Sequence, residues 1–122
     1  MKAALLLVAV AFVATVVLAS GPHGHYCGSY NGIVTGKMQV LSDTSANLNI
    51  DIFGSDTKCD NETYSYSSTT HVIDFPGATE PTNCLGRLLS TYGITMTATY
   101  DPSANSIKLV TSVATITMTA CS

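Results

Sequence analysis

Apolar and polar side chains alternate strictly near the C-terminus. Ile94, Met96, Ala98 and Tyr100 take turns with Thr95, Thr97 and Thr99, and further on Ala114, Ile116, Met118 and Ala120 take turns with Thr115, Thr117 and Thr119. Successive side chains of a strand point to opposite faces, so a period of two buries one face and wets the other. Between the two runs, Asp101-Pro102-Ser103-Ala104-Asn105 has turn chemistry: Pro102 pre-sets φ, while Asp101 and Asn105 are suited to bonding their own backbone. The stretch Ile94 to Cys121 therefore predicts the central hairpin of an antiparallel sheet. Ile107 and Leu109 keep the odd positions apolar, whereas from Ala114 the even positions are apolar. That phase change around Val110 to Val113 predicts either a bulge in one long strand or a tight turn between two.

Upstream, Val34, Met38 and Val40 are in phase along a first strand from Ile33 to Leu41, and Ser42 to Ser45 supply a turn. Ala46, Leu48, Ile50 and Ile52 alternate with Asn47, Asn49 and Asp51 in a second strand that Gly54 ends. Asp43 to Asn47 echoes Asp101 to Asn105 as D-x-S-A-N; since the flanks do not match, the simpler reading is one turn chemistry used twice. Gly28 to Gly32 and Cys59 to Glu62 read as polar loops. Tyr64 to Phe75 reads as a short hairpin stopped by Pro76-Gly77. Leu85, Leu88, Leu89 and Tyr92 then recur at helical spacing, with Thr82 or Asn83 to cap and Gly93 to stop. The expected fold is mainly β (α+β): an antiparallel meander or partly closed barrel of six to seven strands, with one short helix at about 83–92 packed on it.

The N-terminus has a different pattern. Met1-Lys2 is followed by an apolar run from Ala3 to Leu18, and Val17-Leu18-Ala19 offers small residues at a signal-peptidase spacing. Residues 1–19 read as a secretory signal peptide rather than a retained anchor. Residues 20–26 read as a flexible tail, and 27–122 as one disulfide-stapled domain. No apolar stretch long enough to span a bilayer follows the leader, so no membrane span is expected in the mature chain.

The chain of 122 residues carries a formal charge of −3, and loss of Lys2 makes it one unit more negative. Lys37, Lys58, Arg87 and Lys108 are scattered, which argues against a nucleic-acid partner. Cys27, Cys59, Cys84 and Cys121 lack the close pairs of a zinc site and read as two disulfides of a secreted chain. Cys27–Cys121 with Cys59–Cys84 is preferred by a small margin over Cys27–Cys59 with Cys84–Cys121.

Candidate chemistry is sparse. Asn61-Glu62-Thr63 is an N-glycosylation sequon on a predicted loop. His71 and Asp74 near several serines suggest a small hydrolase, but no G-x-S-x-G turn occurs and residues three apart on a strand face opposite ways. His23 and His25 suggest copper at a free amino terminus; Pro22 has no amide proton to lose, so a polar tail is the better reading. Asp43, Asp51 and Asp56 form neither a calcium loop nor an acid/base pair. No cofactor, metal or catalytic residue is expected.

Two binding surfaces remain. If Thr95, Thr97, Thr99, Thr115, Thr117 and Thr119 share one face of one sheet, they make a surface of hydroxyls and methyls for a glycan or an ordered lattice. The bland alternative is that threonine favours strands and solubilises an exposed face. On the other side, Met38, Ile50, Met96 and Met118 could line a cup for a lipid-like ligand, unless the helix fills it.

The chain resembles small secreted four-cysteine proteins of trypanosomatid protozoa. The residues that carry the likeness are Tyr26-Cys27-Gly28, Asp43 to Leu48, Cys59 with Glu62 and Tyr64, Asn83-Cys84-Leu85-Gly86, Tyr100-Asp101-Pro102 and Cys121. The resemblance implies a secreted, cysteine-bridged protein and carries no assigned role. A fainter likeness to lipocalin-type barrels rests on the Gly28 to Gly32 opening and the meander, without the usual tryptophan. The expected function is non-enzymatic binding of a host or cell-surface protein or glycan through the Thr/Tyr-rich face or loops. A carrier of an apolar ligand is the alternative, and a small hydrolase the third.

Overall fold

The computed structural model describes residues 21–122, so the signal-peptide reading of 1–19 lies outside the described residues. Nine strands follow in order: β1 His25–Tyr30, β2 Val34–Val40, β3 Ser45–Ile52, β4 Ser55–Thr63, β5 Ser65–Tyr66, β6 Val72–Asp74, β7 Met96–Asp101, β8 Ser106–Thr111 and β9 Thr115–Cys121. A 3-10 turn at Pro76–Thr79 and the helix α1, Cys84–Tyr92, lie between β6 and β7. The strands form one antiparallel sheet in the order β4-β3-β2-β1-β9-β8-β7-β6-β5. The first strand pairs with the last, and the two outermost strands, β4 and β5, are consecutive in the chain with only Tyr64 between them. A sheet whose two edges meet in this way is a nearly closed barrel.

The count is nine strands rather than six to seven, because two stretches read as loops are strands. His25 and Tyr26, expected at the end of a flexible tail, belong to β1, and Tyr26 is fully buried. One buried side chain gives no periodicity to detect; pairing with β2 on one side and β9 on the other holds the strand. Residues 59–62, read as a polar loop, lie within β4, where Cys59 and Glu62 point inward. A shift of register opposite Ala46 and Leu48, with Asn61 at φ 56°, places those two inward residues three apart and hides the alternation.

The phase change after Val110 is a tight turn. The Thr111 hydroxyl accepts from the Ala114 and Val113 amides and donates to the Ala114 carbonyl, so a threonine makes the turn without glycine or proline. The Ile94–Cys121 stretch is accordingly three strands, and β8 separates the two threonine runs. In the β7–β8 turn, Asp101 accepts from the Ser103 and Ala104 amides as expected, but Asn105 instead accepts from the hydroxyls of Tyr26 and Tyr100.

Helix α1 is capped by Asn83, whose side chain accepts from the Leu85 and Gly86 amides, and stops at Gly93 with φ 64°. It buries Leu85, Leu88 and Leu89. Inward residues of the strands, among them Met38, Leu48, Ile107, Ile116 and Met118, complete a single core. Towards the β7–β8 turn this core ends in an aromatic group: Tyr100 meets Tyr26 and Tyr66 edge-on, with ring centroids 6.4 and 5.6 Å away.

Both disulfides follow the preferred pairing. Cys27–Cys121 joins the neighbouring strands β1 and β9, and Cys59–Cys84 ties β4 to the first turn of α1. No helix among the described residues is long and apolar enough to cross a membrane.

Candidate functional site

The outer wall of β7, β8 and β9 brings the threonines together. Cross-strand partners form three outward rows: Thr97–Val110–Thr115, Thr99–Lys108–Thr117 and Asp101–Ser106–Thr119. Thr95 continues the face just before β7, where its amide donates to the Ser112 hydroxyl. All six threonines are exposed and lie on one side of one sheet. The two runs stand two strand spacings apart, about 9.6 Å, with hydroxyls repeating at about 6.7 Å along each strand.

The face is more varied than a threonine ladder. Thr99, Tyr100, Asp101, Ser106, Lys108 and Thr117 line a half-open depression of about 430 Å³. Asp101 is held below the usual carboxylate range chiefly because the Ser103 hydroxyl donates to it, and the Ser103 and Ala104 amides donate as well. The depression therefore presents one cation, one anion and several hydroxyls. Lys108 and Ser106 were absent from the sequence candidates, although β8's own alternation marks both as outward.

The barrel interior gathers the second set of candidates. Met38, Ile50, Met96 and Met118 all line a small apolar cavity of about 20 Å³, and Ile50 and Met96 also line a neighbouring one of about 50 Å³. Leu88 and Leu89 of α1 wall the larger cavity, together with Ile94, Leu109 and Ile116. Ligand pockets usually run to about 300–1,000 Å³. The helix thus fills most of the cup.

The remaining candidates are dispersed. Asn61 is exposed on the β4 irregularity, and its backbone amide donates to the Asn47 side chain. His71 Nδ1 lies 3.0 Å from the Tyr66 hydroxyl, whereas Asp74 is across from Ser65 in the β5–β6 ladder. His23 and His25 are exposed, and His23 Nδ1 lies 3.3 Å from the Gly21 carbonyl. Sequence reasoning passed over Glu62. It is almost fully buried against the Cys59–Cys84 bridge, and its Oε2 accepts from the Leu85 amide at 3.3 Å.

No family model, no curated protein and no solved structure matches the chain. Fold and surface define the class on their own: a small, nearly closed antiparallel β-barrel with one helix, two disulfides and a hydroxyl-rich outer wall.

Proposed function

We propose that this protein is a secreted, non-enzymatic binding module that takes a polyhydroxylated ligand, a glycan foremost, on the outer wall of β7, β8 and β9. The observation that carries the reading is the depression at Thr99, Asp101, Ser106, Lys108 and Thr117, set among further exposed threonines. Such a surface exchanges hydrogen bonds with sugar hydroxyls in both directions: threonine and serine donate and accept, lysine donates, and aspartate accepts. The two disulfides support an oxidising, secretory destination. Kinship with the four-cysteine secreted proteins of trypanosomatids belongs to this proposal as well; its support is the motif set around the cysteines.

Binding to a glycan array and to host-cell surfaces tests the reading. Wild type should bind a defined glycan set, and Thr97→Lys with Thr117→Lys should abolish that binding while the barrel stays folded. Equal binding by the double variant removes the threonine face from the function.

The interior supports a second reading, a carrier of an apolar ligand, because all four predicted residues line adjoining apolar cavities. Volume ranks it second: a lipid chain would have to displace Leu88 and Leu89. Displacement of a fluorescent fatty acid tests it, and absence of displacement removes it.

A further inference from the structure

We propose that Cys59, Cys84 and Glu62 form a latent metal site, which reduction of the Cys59–Cys84 disulfide opens to a thiophilic divalent cation such as Zn²⁺. One ligand atom from each of the three side chains lies within 4.8 Å of the others. Glu62 supplies an independent observation. It is only 3 % exposed, and its Oε1 is buried with no hydrogen-bond partner. A buried carboxylate oxygen left unpaired is costly, and a cation beside it is one of the few partners able to satisfy it.

Three features suit the site to soft coordination. The Cα atoms of Cys59 and Cys84 are 5.5 Å apart. Thiolates bound to one Zn²⁺ at about 2.3 Å sit roughly 3.8 Å from each other in a tetrahedron. Side-chain rotation alone can open the sulfurs to that separation. Cys84 is the first residue of α1, where the amide-rich end of a helix favours a thiolate. Cys84 is also only half-buried, which gives a reductant access and leaves the fourth coordination position to water. Sequence spacing conceals the set, because the two cysteines are 25 residues apart and become neighbours only when α1 docks on β4.

The chemistry balances simply. A dithiol supplies two electrons and two protons, is itself oxidised to a disulfide, and breaks the Cys59–Cys84 bond to give two thiols. The incoming cation displaces those two protons as both sulfurs ligate as thiolates, with Glu62 as the third ligand.

The test uses Co²⁺ as a visible substitute for Zn²⁺. The protein is reduced with a dithiol, desalted without oxygen and titrated, reading thiolate-to-cobalt absorption and the native mass. One Co²⁺ per chain is expected after reduction and none before it. Cys27→Ser with Cys121→Ser should keep the site, Cys59→Ser with Cys84→Ser should lose it, and Glu62→Gln should weaken binding at least about tenfold. If reduction loosens the fold, Co²⁺ should restore the native far-ultraviolet circular dichroism. A reduced chain that neither binds cobalt nor regains structure with it overturns the proposal. So does unchanged affinity in Glu62→Gln, or binding that survives loss of Cys59 and Cys84.

Discussion

Replacing Gly86 by alanine sets helix propensity against packing, and the coordinates decide which wins. Gly86 sits inside α1, where glycine is about 1 kcal/mol less favourable than alanine, so propensity alone predicts that Gly86→Ala stabilises. A Cβ there would lie 2.6 Å from the Gly77 carbonyl oxygen and closer still to that of Glu80. Against an ordinary contact of about 3.5 Å, the Gly77 oxygen would have to retreat by about 0.9 Å and the Glu80 oxygen further. Neither is free to move. The Gly77 carbonyl accepts from the Glu80 amide and the Glu80 carbonyl from the Asn83 amide, both at 3.1 Å.

Relief would come from tilting α1 off the Pro76–Thr79 turn, which also lifts Leu85 and Leu89 out of the core. Overpacking of this kind costs about 1–3 kcal/mol, and two backbone collisions place Gly86→Ala at the upper end. Subtracting the propensity gain leaves a loss of about 2 kcal/mol, or a fall in Tm of roughly 10 °C for a domain of this size. Thermal unfolding followed by circular dichroism measures it. Ser90→Ala, at an exposed position of the same helix, should instead gain about 0.5 kcal/mol and so calibrates the propensity term. If Gly86→Ala unfolds at or above the wild-type temperature, the close seating of α1 on the 3-10 turn is wrong.

Three further outcomes are expected. Burial foremost, then the Tyr26 hydroxyl, pushes the Tyr100 phenol up to about 12 from its usual 10. The folded state then holds a proton that the unfolded chain releases above pH 10, so this stability is complete below pH 10 and is lost as pH rises through 12. Two units correspond to at most about 2.7 kcal/mol, and Tyr100→Phe should flatten that alkaline limb in urea melts at stepped pH; an unchanged limb would contradict the assignment. Asn105→Gly keeps a backbone suited to φ 47° but leaves the Tyr26 and Tyr100 hydroxyls, now bonded at 2.7 and 2.8 Å, without an acceptor, for a net loss of about 2 kcal/mol in urea stability. From sequence separations of 94 and 25, replacing Cys27 and Cys121 by serine should cost about 4.5 kcal/mol and replacing Cys59 and Cys84 about 3.5. The order of the two denaturation midpoints checks that comparison.

The strongly alternating stretches were legible as strands because each carries several buried residues on one face: β3 with Ala46, Leu48 and Ile52, and β9 with Ile116 and Met118. The helix was legible from its stripe, its cap and its stop. β1 and β4 were not, for different physical reasons. β1 has ladder partners on both sides and one fully buried side chain, so its order is set by neighbours distant in sequence. β4 has an irregularity that moves its inward residues out of phase. The threonine face and the apolar phase of Ile107 and Leu109 were legible as patterns, yet whether the chain bulges or turns after Val110 was not, so Lys108 and Ser106 entered the site only with the register. Glu62 could have been suspected, being the one acidic side chain next to a cysteine strand segment that ends up inside, but only the fold reveals that its oxygen lacks a partner.

The seam between β4 and β5 gives the molecule a functional asymmetry. Unpaired edge strands invite pairing with other chains. Here β5 is only two residues long, β4 carries exposed Asp56, Lys58 and Asp60, and α1 and the 3-10 turn pack against β4. The Cys59–Cys84 bridge fixes that cover in place. Any change at Cys59, Cys84 or Glu62 therefore acts on the seam. The threonine wall is elsewhere: β7, its strand nearest the seam, has β6 and β5 between it and β4, and on the other side β9 has β1, β2 and β3 between it and β4. Substitutions at Thr97 and Thr117 change outward side chains without touching the bridge, and cysteine chemistry at β4 leaves the outer rows of β7, β8 and β9 intact. A ligand bound on the wall should consequently be indifferent to the redox state of Cys59–Cys84 as long as the barrel stays folded, whereas a ligand held inside, beneath Leu88 and Leu89, should not. Redox sensitivity of binding thus separates the outer site from the inner one.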